Sequence, residues 1–214
     1  MRTIKALACA TAVVAGVATS MAQSNVYSLN VVGYYNVPVI PGTLTLIANQ
    51  LNTTNNTLAS LIPNPPPFSQ FFKYNGAWSE SHFDDLDLVW YPDGAATLNP
   101  GEGGFFKSPV ATTLTFVGEV LQGSLVNPLP AVGTLGVRSS QVPQAGLITT
   151  DLKFPGEPFD QVYKYAGSWS ESHFDDLDLV WYPTEPSFGV GEALMVHKAS
   201  TSTITTWARN FTVQ

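Results

Sequence analysis

Apolar and polar residues alternate with a period of two in short runs along most of this chain, and no run sustains the 3.6-residue period of a helix. Val26 to Val39 is rich in Val and Tyr, Thr43 to Leu51 alternates before a polar end, and Thr112 to Val120 alternates again. Each predicts strand. Asn75 and Gly76 lie between Phe71–Tyr74 and Ala77–Trp78, the dipeptide favoured in a two-residue hairpin turn. A single helical turn is expected over 57–62, capped by Asn55 or Asn56 and stopped by Pro63. Pro65 to Pro67 then reads as an extended connector, and Gly101 to Gly104 punctuates the loop before Phe105 and Phe106. The pattern predicts an all-β protein.

Self-similarity organises these elements. Trp78 to Pro92 recurs letter for letter as Trp169 to Pro183, an offset of 91 residues (169 − 78). The same offset aligns Gly42–Leu44 with Gly133–Leu135, Pro67–Phe68 with Pro158–Phe159, Lys73–Tyr74 with Lys164–Tyr165, and Gly76 with Gly167. After a one-residue slip, Gly101–Glu102 meets Gly191–Glu192 and Thr113–Thr115 meets Thr203–Thr205. The expected architecture is therefore two tandem homologous units of about seven short antiparallel strands each, sandwich-like or barrel-like, over 23–120 and 121–214. Residues 33 to 77 match their counterparts at 12 of 45 positions, but 78 to 92 match at 15 of 15. Either a short copying event renewed this block, or both copies meet one physical demand.

The first 22 residues change the charge and the compartment. Arg2 and Lys5 precede an alanine-rich apolar stretch from Ala6 to Val17, and Ser20 to Ala22 offers the small residues of a cleavage site. This reads as an export signal, too short for a membrane span, and a secreted or extracytoplasmic location is expected. Cleavage removes two bases, so the net charge goes from −7 to −9 (−7 − 2). Such acidity makes nucleic acid a poor partner. The single cysteine, Cys9, leaves with the signal, so burial rather than disulfides must hold the remaining 192 residues together. Gln23 to Phe72 holds no Asp, Glu, Lys or Arg.

Several segments carry a resemblance. Asn30–Tyr34 (NVVGY), Leu46–Asn49 (LIAN), Pro100–Gly103 (PGEG), Phe116–Gly123 (FVGEVLQG), Ser139–Gln144 (SSQVPQ) and Val190–Ala193 (VGEA) occur in that order. In this the chain resembles the uncharacterised, signal-bearing two-repeat β proteins of environmental bacteria with large secretomes. The resemblance implies export and a two-repeat β architecture, and assigns no activity.

The duplicated block supplies the candidate site. With Asp84 and Asp85 as a two-residue turn, His82 would face Asp87 and Trp78 would face Tyr91. Phe83, Leu86, Leu88 and Trp90, with Ser79 and Ser81, would face the core. Trp78, Glu80, His82, Asp87, Val89 and Tyr91 would share the other face. Such pairs would stabilise any hairpin, by roughly 0.2–1 kcal/mol each. They also mix flat aromatic faces with hydrogen-bonding groups, the chemistry that holds sugar rings. Polysaccharide binding is thus expected at Trp78, His82, Asp87 and Tyr91 and at their copies Trp169, His173, Asp178 and Tyr182. Asp84, Asp85, Asp175 and Asp176 are hard oxygen ligands and weak calcium candidates, because Val89 breaks the EF-hand spacing. No other cofactor is expected. Ser81 and His82 are adjacent in a strand and point oppositely, so they form no nucleophile–base pair. No enzyme is expected. Self-association into a surface matrix is the alternative, through strand edges.

Overall fold

The computed structural model describes residues 31–213, so residues 1–22, read above as an export signal, and the start of the charge-free stretch lie outside the described residues. The protein is all-β. Its strands are β1 (Val32–Val39), β2 (Thr45–Ala48), β3 (Gln70–Tyr74), β4 (Trp78–Phe83), β5 (Trp90–Tyr91), β6 (Gly103–Lys107) and β7 (Thr112–Glu119). There follow β8 (Gly123–Pro128), β9 (Leu135–Arg138), β10 (Gly146–Leu147), β11 (Gln161–Tyr165), β12 (Trp169–Phe174), β13 (Trp181–Tyr182), β14 (Ser187–Phe188), β15 (Leu194–His197) and β16 (Thr206–Phe211). One helical turn, α1 (Leu58–Leu61), interrupts them. Its cap is Thr57 rather than Asn55 or Asn56. The Thr57 hydroxyl accepts from the Ser60 amide and the Ser60 hydroxyl from the Thr57 amide, both at 3.3 Å, a reciprocal box at the helix start.

Among the described residues five antiparallel sheets result, and none closes into a barrel. One has the order β2-β6-β3-β4-β5, another the order β9-β15-β11-β12-β13, and three are two-stranded ribbons: β1·β7, β8·β16 and β10·β14. In β1 the alternation works as read. Tyr35, Val37 and Val39 point inward, with Leu114 and Phe116 of β7, and Tyr35 stacks on Phe116 at 5.0 Å. They join Ile47, Phe71, Phe83, Trp90 and Phe106 of the first five-stranded sheet in one buried cluster. Trp207, Val162, Trp181 and Val196 belong to a second cluster, which the β8·β16 ribbon and the other five-stranded sheet share. The buried indoles donate within the fold: Trp90 to Ile62 O and Trp207 to Leu152 O, both at 2.9 Å.

The opposite faces of the two five-stranded sheets meet at a seam. Leu46, Ala48, Phe105, Val137 and Ala193 form a third cluster there. Two antiparallel bridges, Ile47 with Glu192 and Arg138 with Glu102, stitch the edge of each sheet to the other. The Ala48 amide donates to Gly191 O and the Ser139 amide to Gly101 O, both at 2.8 Å. Gly101 and Gly191 have φ of +94° and +79°, which a side chain would strain. The neighbouring glutamates each hold a lysine, Lys73 to Glu102 at 3.2 Å and Lys164 to Glu192 at 3.0 Å. Their carboxylates also accept from the amides of Asn99 and Gly189, at 2.7 and 2.8 Å. The PGEG and VGEA segments are thus the seam's own backbone.

Candidate functional site

The site grows from the hairpins β3–β4 and β11–β12. Tyr74 pairs with Trp78, and Tyr165 with Trp169. Each turn is therefore a three-residue loop, one residue longer than expected, with Gly76 and Gly167 at φ of +82° and +83°. Beyond β4 the register also differs from the expected one. His82 lies opposite Tyr91, and Phe83 opposite Trp90, so Trp78 does not face Tyr91, nor His82 Asp87. The second copy pairs His173 with Tyr182 in the same way.

The cause lies in the turn. Asp84 and Asp85 do not close a two-residue hairpin. Asp84 to Val89 forms a longer loop, closed by the Asp84 amide donating to Val89 O at 2.9 Å. Inside it the Asp84 Oδ1 accepts from the amides of Leu86 and Asp87, at 2.8 and 3.0 Å. An aspartate that bonds its own following amides favours this turn over strand. Those amides hold the Asp84 carboxyl below its ordinary range, and Asp175 behaves alike with Asp178 and Leu177. Leu86 and Leu88 leave the ladder and are 85% and 56% exposed, against the expectation that they join the core. Ser79 is exposed too, while Phe83, Trp90 and Ser81 are buried as read.

Trp78, Glu80, His82 and Tyr91 share one exposed face, since alternate residues of β4 and the partner opposite His82 point the same way. His82 and Tyr91 stack at 6.2 Å, and the Tyr91 hydroxyl donates to Asp87 Oδ2 at 3.0 Å. That acceptor raises the Tyr91 phenol's pKa. The copy repeats the geometry: His173 and Tyr182 at 6.1 Å, Tyr182 to Asp178 at 3.1 Å. Gln70 and Gln161 donate to Glu80 and Glu171 at 2.6 and 2.8 Å.

Trp78 and Trp169 come together at the seam. Trp78 lies 5.3 Å from the Phe105 ring and Trp169 lies 5.7 Å from it. Tyr74 and Tyr165 brace the two indoles at 5.0 and 5.1 Å. Both indoles remain open, at 42% and 44% exposure. Leu44, Phe72, Trp78 and Phe105 line a shallow apolar pocket of about 190 Å³. Leu44 and Tyr165 also line a neighbouring groove of about 410 Å³ that reaches Gly191. Sequence reasoning missed Phe105 and Tyr165. The doublet Phe105–Phe106 was the available signal, because adjacent aromatics in a strand require cover on both faces.

The calcium candidates Asp84, Asp85, Asp175 and Asp176 lie in these loops, with one oxygen of the first aspartate in each pair already taken by two amides. Among the described residues no group of three or more His, Cys, Asp or Glu side chains converges as a metal site would require. Nor is any helix there long and apolar enough to cross a membrane. The chain matches no family model, no curated protein and no solved structure.

Proposed function

We propose that this is an exported, non-enzymatic binding protein of two homologous β units, 23–120 and 121–214, whose duplicated face takes polysaccharide. One observation carries the reading. Of the 15 identical residues in each block, 11 are exposed in both copies, including Trp78, His82, Asp87 and Tyr91. Packing constrains buried residues, yet outside the block those diverge: Phe71 opposite Ser81 becomes Val162 opposite Ser172. Identity on the outside answers to recent copying or to something that meets both copies from outside. Aromatic rings beside Glu80, His82 and a phenol–carboxylate pair suit a ligand with apolar ring faces and a rim of hydroxyls. The two blocks also hold 8 of the 16 acidic residues and no Lys or Arg, so a neutral glycan is favoured over an anionic one.

Retention of the secreted form on chitin, cellulose, curdlan and xylan, with alginate as the anionic control and with and without calcium, tests this. At least one neutral polymer is expected to retain the chain, with alginate inert. Trp78→Ala combined with Trp169→Ala should lower that retention tenfold or more. Equal retention of wild type and double variant on every polymer would sink the reading.

Self-assembly is supported by a different surface. On the β1·β7 ribbon, Val32 and Tyr34 are 70% and 74% exposed, next to exposed Val117. A two-stranded ribbon with an apolar outer face is a template for pairing. Light scattering across a concentration series should show association, abolished by Tyr34→Lys with Val117→Lys. A monomer at every concentration would remove this alternative.

A further inference from the structure

We infer that the two copies form one continuous face that takes the interior of a single long glycan chain, rather than two separate sites for short sugars. This rests on the glycan reading above, and it concerns how the ligand is held.

The two indoles share one neighbour. Both pack against Phe105, so they lie no more than about 11 Å apart, the combined length of the two ring contacts. Trp78 comes from β4 and Trp169 from β12, each the fourth strand counted from the stitched edge of its sheet, and each is the residue of its strand nearest the hairpin turn. A sugar ring resting on one indole is thus within a few sugar units of the other. The outer groups extend the face along each sheet. On β4, His82 lies four residues beyond Trp78, roughly 13 Å at the rise of a strand. The His82–Tyr91 stack therefore lies out along the first sheet, and the His173–Tyr182 stack along the second.

The relative position of the two halves is fixed by hydrogen bonds rather than by a tether. Ala48 to Gly191 and Ser139 to Gly101 join the sheets directly, and Gly191 also donates to Gln50 Oε1 at 2.8 Å. Once a chain rests on one indole, the second contact is intramolecular and meets no linker entropy. Avidity of this kind raises affinity by about 10²–10⁴ without new contacts. A ligand too short to reach both indoles gains none of it. The exposed outer stacks leave both ends of the face open, which suits the inside of a polymer and not its terminus.

The test uses titration calorimetry of the full secreted chain with cello-, chito-, xylo- and laminari-oligosaccharides of two, four, six and eight units. The longest members of the retained series should bind one per protein, at least a hundred-fold tighter than the disaccharide. Trp78→Ala and Trp169→Ala, both at exposed positions, should each reduce that affinity to the short-chain level while the stoichiometry stays at one. Phe105→Leu should keep short-chain binding and lose much of the length dependence. Two equivalent sites per chain, with each tryptophan variant halving the stoichiometry at unchanged Kd, would overturn the single face and leave glycan binding standing. No binding of any oligosaccharide, together with no retention on their parent polymers, would overturn both.

Discussion

Lys198→Met is expected to destabilise the protein by about 3–5 kcal/mol, the penalty for leaving a buried charge without its partner. Lys198 is wholly buried at the end of the strand that carries His197, and its ammonium contacts the equally buried Asp160 and, at 3.1 Å, Glu157. Asp160 is satisfied on its other oxygen by the Ala199 amide at 2.9 Å and the Ser202 hydroxyl at 2.6 Å. Removing the lysine charge leaves an ionised carboxylate sealed from water. For a chain of this size the melting temperature should fall by on the order of 6–20 °C. Asp160→Asn should cost a similar amount, and the double variant much less than the two single losses together. The first five-stranded sheet supports this coupling. Ser108 matches Lys198 there, each accepting from the glycine amide of the preceding turn at 2.8 Å, and Ser69 matches Asp160. Both serines are fully buried, so the matching positions of that sheet carry no charge. Additive single losses in denaturant melts would show that the pair is not coupled.

Glu157 adds an acid limb to the same result. Burial opposes its charge, but the amides of Ile204 and Thr203, the Thr203 hydroxyl and the Lys198 ammonium outweigh it and hold the carboxyl at about 2, against an ordinary 4.5. A carboxyl depressed by folding stabilises the fold wherever the unfolded chain is already ionised. That contribution is complete above pH 4.5 and is lost as pH falls towards 2. Melting temperature should therefore drop through this window, and Glu157→Gln should flatten the drop.

Much of the fold was legible because its strands keep to a period of two. The face shared by Trp78, His82 and Tyr91 survived a wrong register for a related reason. The expected pairing put Asp87 opposite His82 where Tyr91 stands, a slip of four residues, and an even slip preserves which face a side chain occupies. Leu86 and Leu88 did not survive it, since Asp84 draws the chain into a loop and Leu88 takes φ of +54° there. Local alternation carries no trace of such a choice between strand and loop. The Phe105 contacts with Tyr165 and Trp169 were illegible for another reason. They join residues far apart in sequence, across a seam that no periodicity announces. The buried Lys198–Asp160 pair was illegible too, because charged residues on short strands and turns usually mark solvent.

Gly103→Ala should be a strongly damaging single methyl in the protein's seam. A Cβ at Gly103 would lie 2.4 Å from the Ala193 Cβ, 2.6 Å from Ile47 O and 3.0 Å from Val137 Cγ1. The first and third contacts belong to the cluster between the sheets, and the second belongs to a strand held from both sides. Ile47 is paired with Gly104 in β6 and bridged to Glu192 across the seam, so its carbonyl has nowhere to retreat. Overpacking of this kind costs about 1–3 kcal/mol, and Gly103→Val should exceed it. Ala193→Gly should rescue Gly103→Ala only in part, because it clears the nearest atom and leaves Ile47 O in place. Gly189→Ala is the control. Its new methyl would first meet the Glu192 carboxyl at 3.5 Å, an ordinary contact, so its denaturation midpoint should match wild type. Because Phe105 follows Gly103 by two residues in β6, a seam forced apart should also separate the two indoles. Gly103→Ala is therefore expected to weaken long-chain glycan binding more than short-chain binding, at temperatures where the variant is still folded. A Gly103→Ala protein as stable as wild type would mean that the sheets do not meet at this residue.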